Sequence, residues 1–278
     1  MDLNTVTSFR RATTRADLAL GAGERPLAGG TFLFSDPNPV VTGLVDLTTM
    51  GWPSIETTAG GLRIGSTCTI AELVDLAEGR GAHIPPAEWT ALPLFVDAAN
   101  ALLMSFKIWH TATVGGNIAQ SFAAGALIAA CATLDGEALI LTPDGGERRM
   151  PVAEIPRGNG ENTLAAGEII RHIDIPVHAL RSRTVLHKLA LAELGRSGSV
   201  VSARRDEDGS TLFCLTASVE RPVLLRWPEV PSRQALAEAV ADADGYYTDP
   251  LGSADWRRGT TVVLAERSRL ALMTGADA

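Results

Sequence analysis

Glu137-Ala-Leu-Ile-Leu-Thr142, followed at once by Pro143-Asp144-Gly145-Gly146, reads as a strand that runs into a hairpin turn. Outward from this turn, strands again come in clusters. Downstream there are β-like runs at 184–191 and 198–204, the turn Asp206-Glu207-Asp208-Gly209, and a further run at 211–219. Upstream, Leu62-Arg63-Ile64 is a short strand and Val40 to Leu47 a β-rich run. Clustered strands, rather than strand and helix in strict alternation, favour an α+β class over a doubly wound sheet.

Helices fill the gaps. Thr14 with Asp17 three residues on predicts a helix start, ended by Gly21 and Gly23, and Thr69 with Glu72 carries a capping-box pattern. Residues 87–106 read as a buried helix, and Ser121 to Leu134 as an alanine-rich helix suited to close packing. Two more close the chain, at about 232–243 and 253–272. In the second, Val262, Val263, Leu264, Leu270 and Leu272 are expected on one buried face. A boundary is expected near Pro176.

The chain has 278 residues, 46% of them hydrophobic and 20% charged, as expected of a soluble globular protein of one or two domains. The net charge of −8 opposes binding to nucleic acid or to an anionic membrane. No basic stretch near Met1 leads into an apolar run and no segment approaches the length of a bilayer span, so a cytoplasmic location without membrane insertion is the expectation. Cys68, Cys131 and Cys214 lie far apart, which argues against a disulfide framework, a zinc site or an iron–sulfur site.

Two glycine pairs carry the chemistry: Leu27-Ala28-Gly29-Gly30-Thr31 and Thr113-Val114-Gly115-Gly116-Asn117. Adjacent glycines permit backbone geometry closed to other residues and let consecutive N–H groups converge on an anion. Two such loops could clasp the phosphates of a dinucleotide from opposite sides, with Thr31 and Asn117 adding side-chain hydrogen bonds. Each pair alone is equally a tight turn. Other signatures are missing. Gly21-Ala22-Gly23 has Pro26 where a Rossmann fingerprint needs its third glycine, and there is no P-loop, no paired histidine motif and no G-x-S-x-G elbow. A bound flavin would supply redox chemistry of its own, so the protein need only hold and orient it.

These residues resemble a known family. Leu27-Ala-Gly-Gly-Thr-Phe-Leu33 and Thr111-Ala-Thr-Val-Gly-Gly-Asn-Ile-Ala119 look like the two FAD loops of the medium, flavin-binding subunit of the xanthine dehydrogenase and carbon monoxide dehydrogenase (molybdenum hydroxylase) family. Pro151-Val-Ala-Glu-Ile155, Gly167-Glu168-Ile-Ile and Gly252-Ser-Ala-Asp-Trp-Arg-Arg258 continue the similarity across nearly the whole chain. The resemblance implies a two-lobed, PCMH/VAO-like FAD-binding domain over 1–176, with lobes of about 1–55 and 56–176. A smaller α+β domain with an antiparallel sheet and helices would follow over 177–278.

It further implies that Ala28, Gly29, Gly30, Thr31, Phe32 and Leu33 in one loop, and Thr111, Thr113, Val114, Gly115, Gly116 and Asn117 in the other, hold the FAD pyrophosphate. Leu103 and Leu164 match cofactor-lining positions, and Lys188 sits where the family often has a lysine near the flavin. No residue is expected to be catalytic or to bind metal in this chain. Molybdenum-pterin and 2Fe-2S clusters are implied only for partners, a molybdopterin-binding large subunit and a 2Fe-2S small subunit. These would form a heterotrimer that can pair into a dimer of heterotrimers. Electrons would pass from the clusters to FAD and on to NAD, a quinone, oxygen or another acceptor. The chain departs from the family pattern at Trp109 and His110, at Ala126 in place of an aspartate, and at Ala192 in place of an arginine. Two other readings stay open: a stand-alone FAD-dependent oxidoreductase of the same superfamily, and a non-catalytic subunit that binds FAD poorly.

Overall fold

A computed structural model describes residues 3–35, 38–101, 106–192 and 195–274; Leu103 lies outside the described residues. The first sheet is short and wholly parallel. β1 (Ser8–Arg11), β2 (Glu24–Leu27) and β3 (Gly43–Asp46) stand in the order β1-β3-β2. The second sheet is antiparallel, in the order β4-β5-β10-β6-β7, with β4 at Ile55–Thr58, β5 at Gly61–Gly65, β6 at Glu137–Leu141, β7 at Glu147–Pro151 and β10 at Ile169–Pro176. The hairpin read from Pro143–Gly146 is β6–β7, with Leu141 opposite Glu147. A small ribbon, β8 (Pro156–Gly158) with β9 (Glu161–Asn162), precedes β10.

Among the described residues, five helical segments lie between β5 and β6: α1 (Ile70–Ala77), α2 (Pro93–Ala101), α3 (Phe106–Trp109), α4 (Val114–Gln120) and α5 (Ala126–Thr133). Their apolar faces bury Leu73, Phe95, Ile118 and Leu127 against Ile64, Ile140 and Ile173 of the sheet. Thr69 begins α1 with the expected reciprocal cap: its hydroxyl accepts from Glu72 N at 3.2 Å while its own N–H donates to the Glu72 carboxylate at 2.7 Å.

After α6 (Val177–Leu180), the third sheet is an antiparallel meander of β11 (Arg183–Ala190), β12 (Ser197–Arg205), β13 (Thr211–Thr216) and β14 (Val223–Trp227). α7 (Arg233–Ala241) and α8 (Ala254–Thr274) cover one face, joining Leu236, Val240 and Leu264 to Val201, Phe213 and Leu215. The opposite face receives α5, through Ala132 against Leu212 and Cys214. Being covered on both faces, β13 is buried along its whole length. The same sandwich explains α5: all eight of its residues are buried, so it shows no single apolar stripe. Asp135, at a positive φ of 53°, locks this seam by accepting from the buried Arg204 and from Arg226. Burial alone would raise its carboxyl pKa, but the two guanidinium groups outweigh that and hold it below its ordinary value. The mixed architecture is the α+β class expected.

Four local expectations need correction. Thr14 and Asp17 form a reciprocal cap, but only one tight turn follows, Arg15–Leu18. The Asp17 and Ala19 carbonyls are taken by the Arg10 guanidinium, and the chain turns into β2 instead of continuing the helix. The helix expected from 87 starts only at Pro93, as α2, because residues 87–92 turn instead of coiling. The helix expected from Ser121 starts at Ala126, because Ser121 has a left-handed φ of 53° that ends α4. In α8, Val263 and Leu270 are exposed, and the buried face carries Arg257, Thr261 and Ser268 beside Leu264 and Leu272.

Candidate cofactor site

The first glycine pair lies where β2 leaves its sheet. Leu47 N–H holds the Leu27 carbonyl at 2.8 Å, and the chain departs at Ala28. Gly29 is packed so tightly that a Cβ there would lie 1.8 Å from the Thr111 carbonyl oxygen and 3.1 Å from Ala112 Cα. No residue but glycine allows this approach, and it brings the two glycine segments together. Gly30 has φ +67° and starts a turn closed by Phe34 N–H donating to Gly30 O at 2.9 Å. Within that turn, nothing among the described residues accepts from the backbone N–H groups of Gly29, Gly30, Thr31, Phe32 or Leu33. None of these five residues is fully buried.

The second pair is built differently. It forms the first turn of α4, with Thr113 as N-cap. Val114 N–H donates to Cys68 O at 2.9 Å and Gly115 N–H to Ser66 O at 2.9 Å. Gly116 N–H is held by Thr113 Oγ1 at 3.2 Å, and Asn117 N–H by Thr113 O at 2.9 Å. A Cβ on Gly115 would lie 2.4 Å from Ser66 Cβ, so this glycine serves packing against the turn after β5. Gly116 is exposed, and a Cβ there would meet only the Thr113 hydroxyl, at 2.9 Å. Asn117 Oδ1 accepts from Leu127 N–H at 3.0 Å and so caps α5, whose own N-cap Gly125 has no side chain to do so.

An aromatic contact also spans the pair. Phe32 and Phe122 meet edge to face with ring centroids 4.9 Å apart, although both rings remain about two-fifths exposed. Behind the loops, Ala12, Leu18, Val45 and Leu47 share a small core with Leu141 and Ile169. Arg15 adds a hydrogen bond to Thr142 O at 2.6 Å, fixing the first sheet against the β6–β7 hairpin.

The remaining expected positions lie further out. Leu164 packs on the main core, Val114 is fully buried, and Thr111 is exposed with its hydroxyl donating to Lys107 O at 3.3 Å. Lys188 Nζ donates to Asn100 O at 3.2 Å, at the C-terminal end of α2. Trp109 packs half-buried on the main core, and Ala126 is buried and offers no polar atom. Two clefts, of about 530 and 430 Å³, are lined elsewhere: one by Arg63, Asp135, Asp174 and His178, the other by Leu20, Glu24 and Gly167. In the first, Arg63 already holds Asp174 at 2.7 Å. Burial pushes the Cys131 and Cys214 thiols up to about 12 and raises Cys68 as well, so none of them is a thiolate at neutral pH.

Five unspent N–H donors, an open glycine and no carboxylate in either loop suit an anionic group. Residues 8–178 match the family model described as the FAD binding domain in molybdopterin dehydrogenase. The chain belongs to that family. It is thus an FAD-binding component of an oxidoreductase of the molybdenum hydroxylase class, with FAD as its cofactor. No curated protein matches the sequence.

The fold of this family member is similar to that of solved structures over its full length. A chain of quinoline 2-oxidoreductase from Pseudomonas putida 86 superposes with a TM-score of 0.80 at 20% identity, covering 100% of both chains. One from carbon monoxide dehydrogenase of Hydrogenophaga pseudoflava gives 0.79 at 18% identity over 98% of each chain. One from reconstituted CO dehydrogenase of Oligotropha carboxidovorans gives 0.79 at 21% identity, covering 97% of this chain and 99% of the other. The sequence motifs led to both glycine segments. They did not reveal that one presents its amides and the other consumes them, nor that Phe32 and Phe122 join the segments.

Proposed function

We propose that the chain holds FAD at the junction of its two glycine segments and acts as the electron-transfer subunit of a molybdenum hydroxylase complex. The observation that carries the reading is the contact of Gly29 with Thr111, beside the five unspent amides of Gly29–Leu33. FAD, when bound, supplies the redox chemistry, taking up two electrons and releasing them singly or together. The chain's own residues bind and orient it. Amides of the first loop donate to the pyrophosphate, Gly116 leaves the approach clear, and Thr113 with Ser66 holds the second segment rigid behind it.

The neighbours are described as quinoline 2-oxidoreductase and as Cu,Mo-CO dehydrogenase, which supports a place beside a molybdenum-bearing partner. A molybdopterin-binding large subunit would oxidise the substrate. A 2Fe-2S small subunit would relay electrons to this FAD, and an external acceptor would take them. A cytoplasmic heterotrimer is part of the same proposal, as is the division into an FAD-binding domain over 1–176 and a C-terminal domain over 177–278.

One observation favours a second reading, a non-catalytic subunit that binds FAD poorly: Ala126 provides no polar group and the amides of Val114 to Asn117 are already spent. The visible spectrum of the purified chain, with released cofactor identified by mass, separates the two. The expected result is FAD at about one per chain. A protein that stays colourless after FAD is added, and in the assembled complex, would overturn the first reading and favour the second. In the complex, reduction of this flavin by substrate, with none in the isolated chain, tests the electron-transfer role.

A further inference from the structure

The C-terminal sheet touches both ends of the segment that carries the second glycine pair. Before that segment, Ser197 Oγ of β12 donates to the carbonyl of Ala101, the last residue of α2, at 2.6 Å. After it, Ala217 N–H donates to Ala123 O at 2.7 Å, one residue past Phe122 and its contact with Phe32. Ala217 sits at φ +63°, a conformation that a non-glycine residue keeps only when its surroundings fix it.

What fixes it is Arg257 of α8, whose side chain is fully buried. One guanidinium nitrogen donates to Ala217 O at 2.5 Å and also to Gly198 O, next to Ser197, at 2.6 Å. The other terminal nitrogen pairs with Asp249 Oδ1 at 2.5 Å, and the group lies 4.1 Å from the centre of the Tyr247 ring. Tyr247 completes the arrangement, its hydroxyl donating to Ala217 O at 2.9 Å. A single buried cation therefore ties together the two strand ends that grip the segment of the second glycine pair, one on each side. Its planar fork serves two carbonyls and a carboxylate at once.

We infer that Arg257 is a positioning residue for the cofactor cradle: it sets the second glycine pair and Phe122 against the first loop, and does so from the C-terminal sheet without touching the cofactor. The inference rests on the proposal that FAD binds at these loops. It assigns a role to the Gly252–Arg258 motif beyond that of a helix start.

The test is FAD titration of the full chain, followed by flavin fluorescence, beside thermal unfolding of the same protein without FAD. Arg257→Lys keeps a charge for Asp249 but loses the fork. It should bind FAD about tenfold more weakly at temperatures where the apoprotein is fully folded. Ser197→Ala, which removes one of the two grips, should weaken binding in the same direction. If Arg257 acts through the grips, the double variant should lose less than the product of the two single losses. A purely structural role would lower the unfolding temperature and leave the Kd of the folded protein unchanged, and that result overturns the inference. Should Arg257→Lys fail to fold, Ser197→Ala and Tyr247→Phe carry the test, and wild-type Kd in both overturns it. Failure of the wild-type chain itself to bind FAD defeats the functional proposal instead.

Discussion

The two glycine pairs look alike in sequence and behave as opposites in the fold. At Gly29-Gly30 the chain has just left a strand and its amides find no partner among the described residues, while at Gly115-Gly116 it begins a helix and every amide has one. Within each pair the glycines also differ. Gly29 and Gly115 are there because backbone presses on them, from Thr111 and from Ser66. Gly30 meets a left-handed turn, and Gly116 is exposed with only the Thr113 hydroxyl close to it. A glycine doublet therefore says that something comes close, without saying whether it is protein or ligand.

Substitutions can break this comparison. The largest effect is expected at Gly29→Ala, whose methyl group would overlap the Thr111 carbonyl. Forcing the two segments apart should cost about 3 kcal/mol of stability and remove bound FAD together. Wild-type flavin content in that variant, measured on the purified chain, would falsify the junction as the binding place. Gly115→Ala comes next. Its methyl group collides with Ser66, so unfolding should become easier by about 2 kcal/mol, while the fraction that remains folded binds FAD normally. Flavin titration below the melting temperature distinguishes this from a ligand-facing role.

Gly116→Ala sharpens the contrast. Stability should change by less than about 1 kcal/mol, since only the Thr113 hydroxyl is in the way, but FAD affinity should fall by about tenfold. An unchanged Kd would assign the pyrophosphate to the first loop alone.

The smallest effect concerns acid. Glu24, at the start of the strand that feeds the first loop, is held down to about 2 by the Arg10 guanidinium and by the Gly21 N–H. A carboxyl depressed in the folded state stabilises fully above its ordinary value of 4.5, and that contribution is lost as pH falls from there toward 2. FAD release should thus begin as pH falls below this ordinary value, and Glu24→Gln should flatten that limb of the profile. A limb identical in the variant would show that the first sheet is not what acid loosens.

Much of the architecture was readable because its signals are local. Pro143-Asp144-Gly145-Gly146 makes its turn within four residues, and Thr69 caps α1 through Glu72 three positions away. β1 and β14 escaped notice for the opposite reason: Ser8–Arg11 and Val223–Trp227 show no clean alternation and become strands only through their neighbours. At the site, the motifs singled out two segments that the fold brings into contact, but Lys188 holds Asn100 O, and the oxygen of Asn117 caps α5. A side chain with several possible partners cannot be assigned one from its type.

By itself, the sequence determined the α+β class, the main helices and turns, and, through two glycine motifs in order, the flavin-binding family. Those features rest on short-range chemistry: the conformational freedom of glycine, capping side chains and apolar periodicity. Only the tertiary structure decided which amides stay open, why Gly115 must be glycine, and where the guanidinium of Arg257 goes. These depend on pairs such as Ser197 with Ala101, 96 residues apart, and a hydrogen bond exists only once both partners have been brought to the same place.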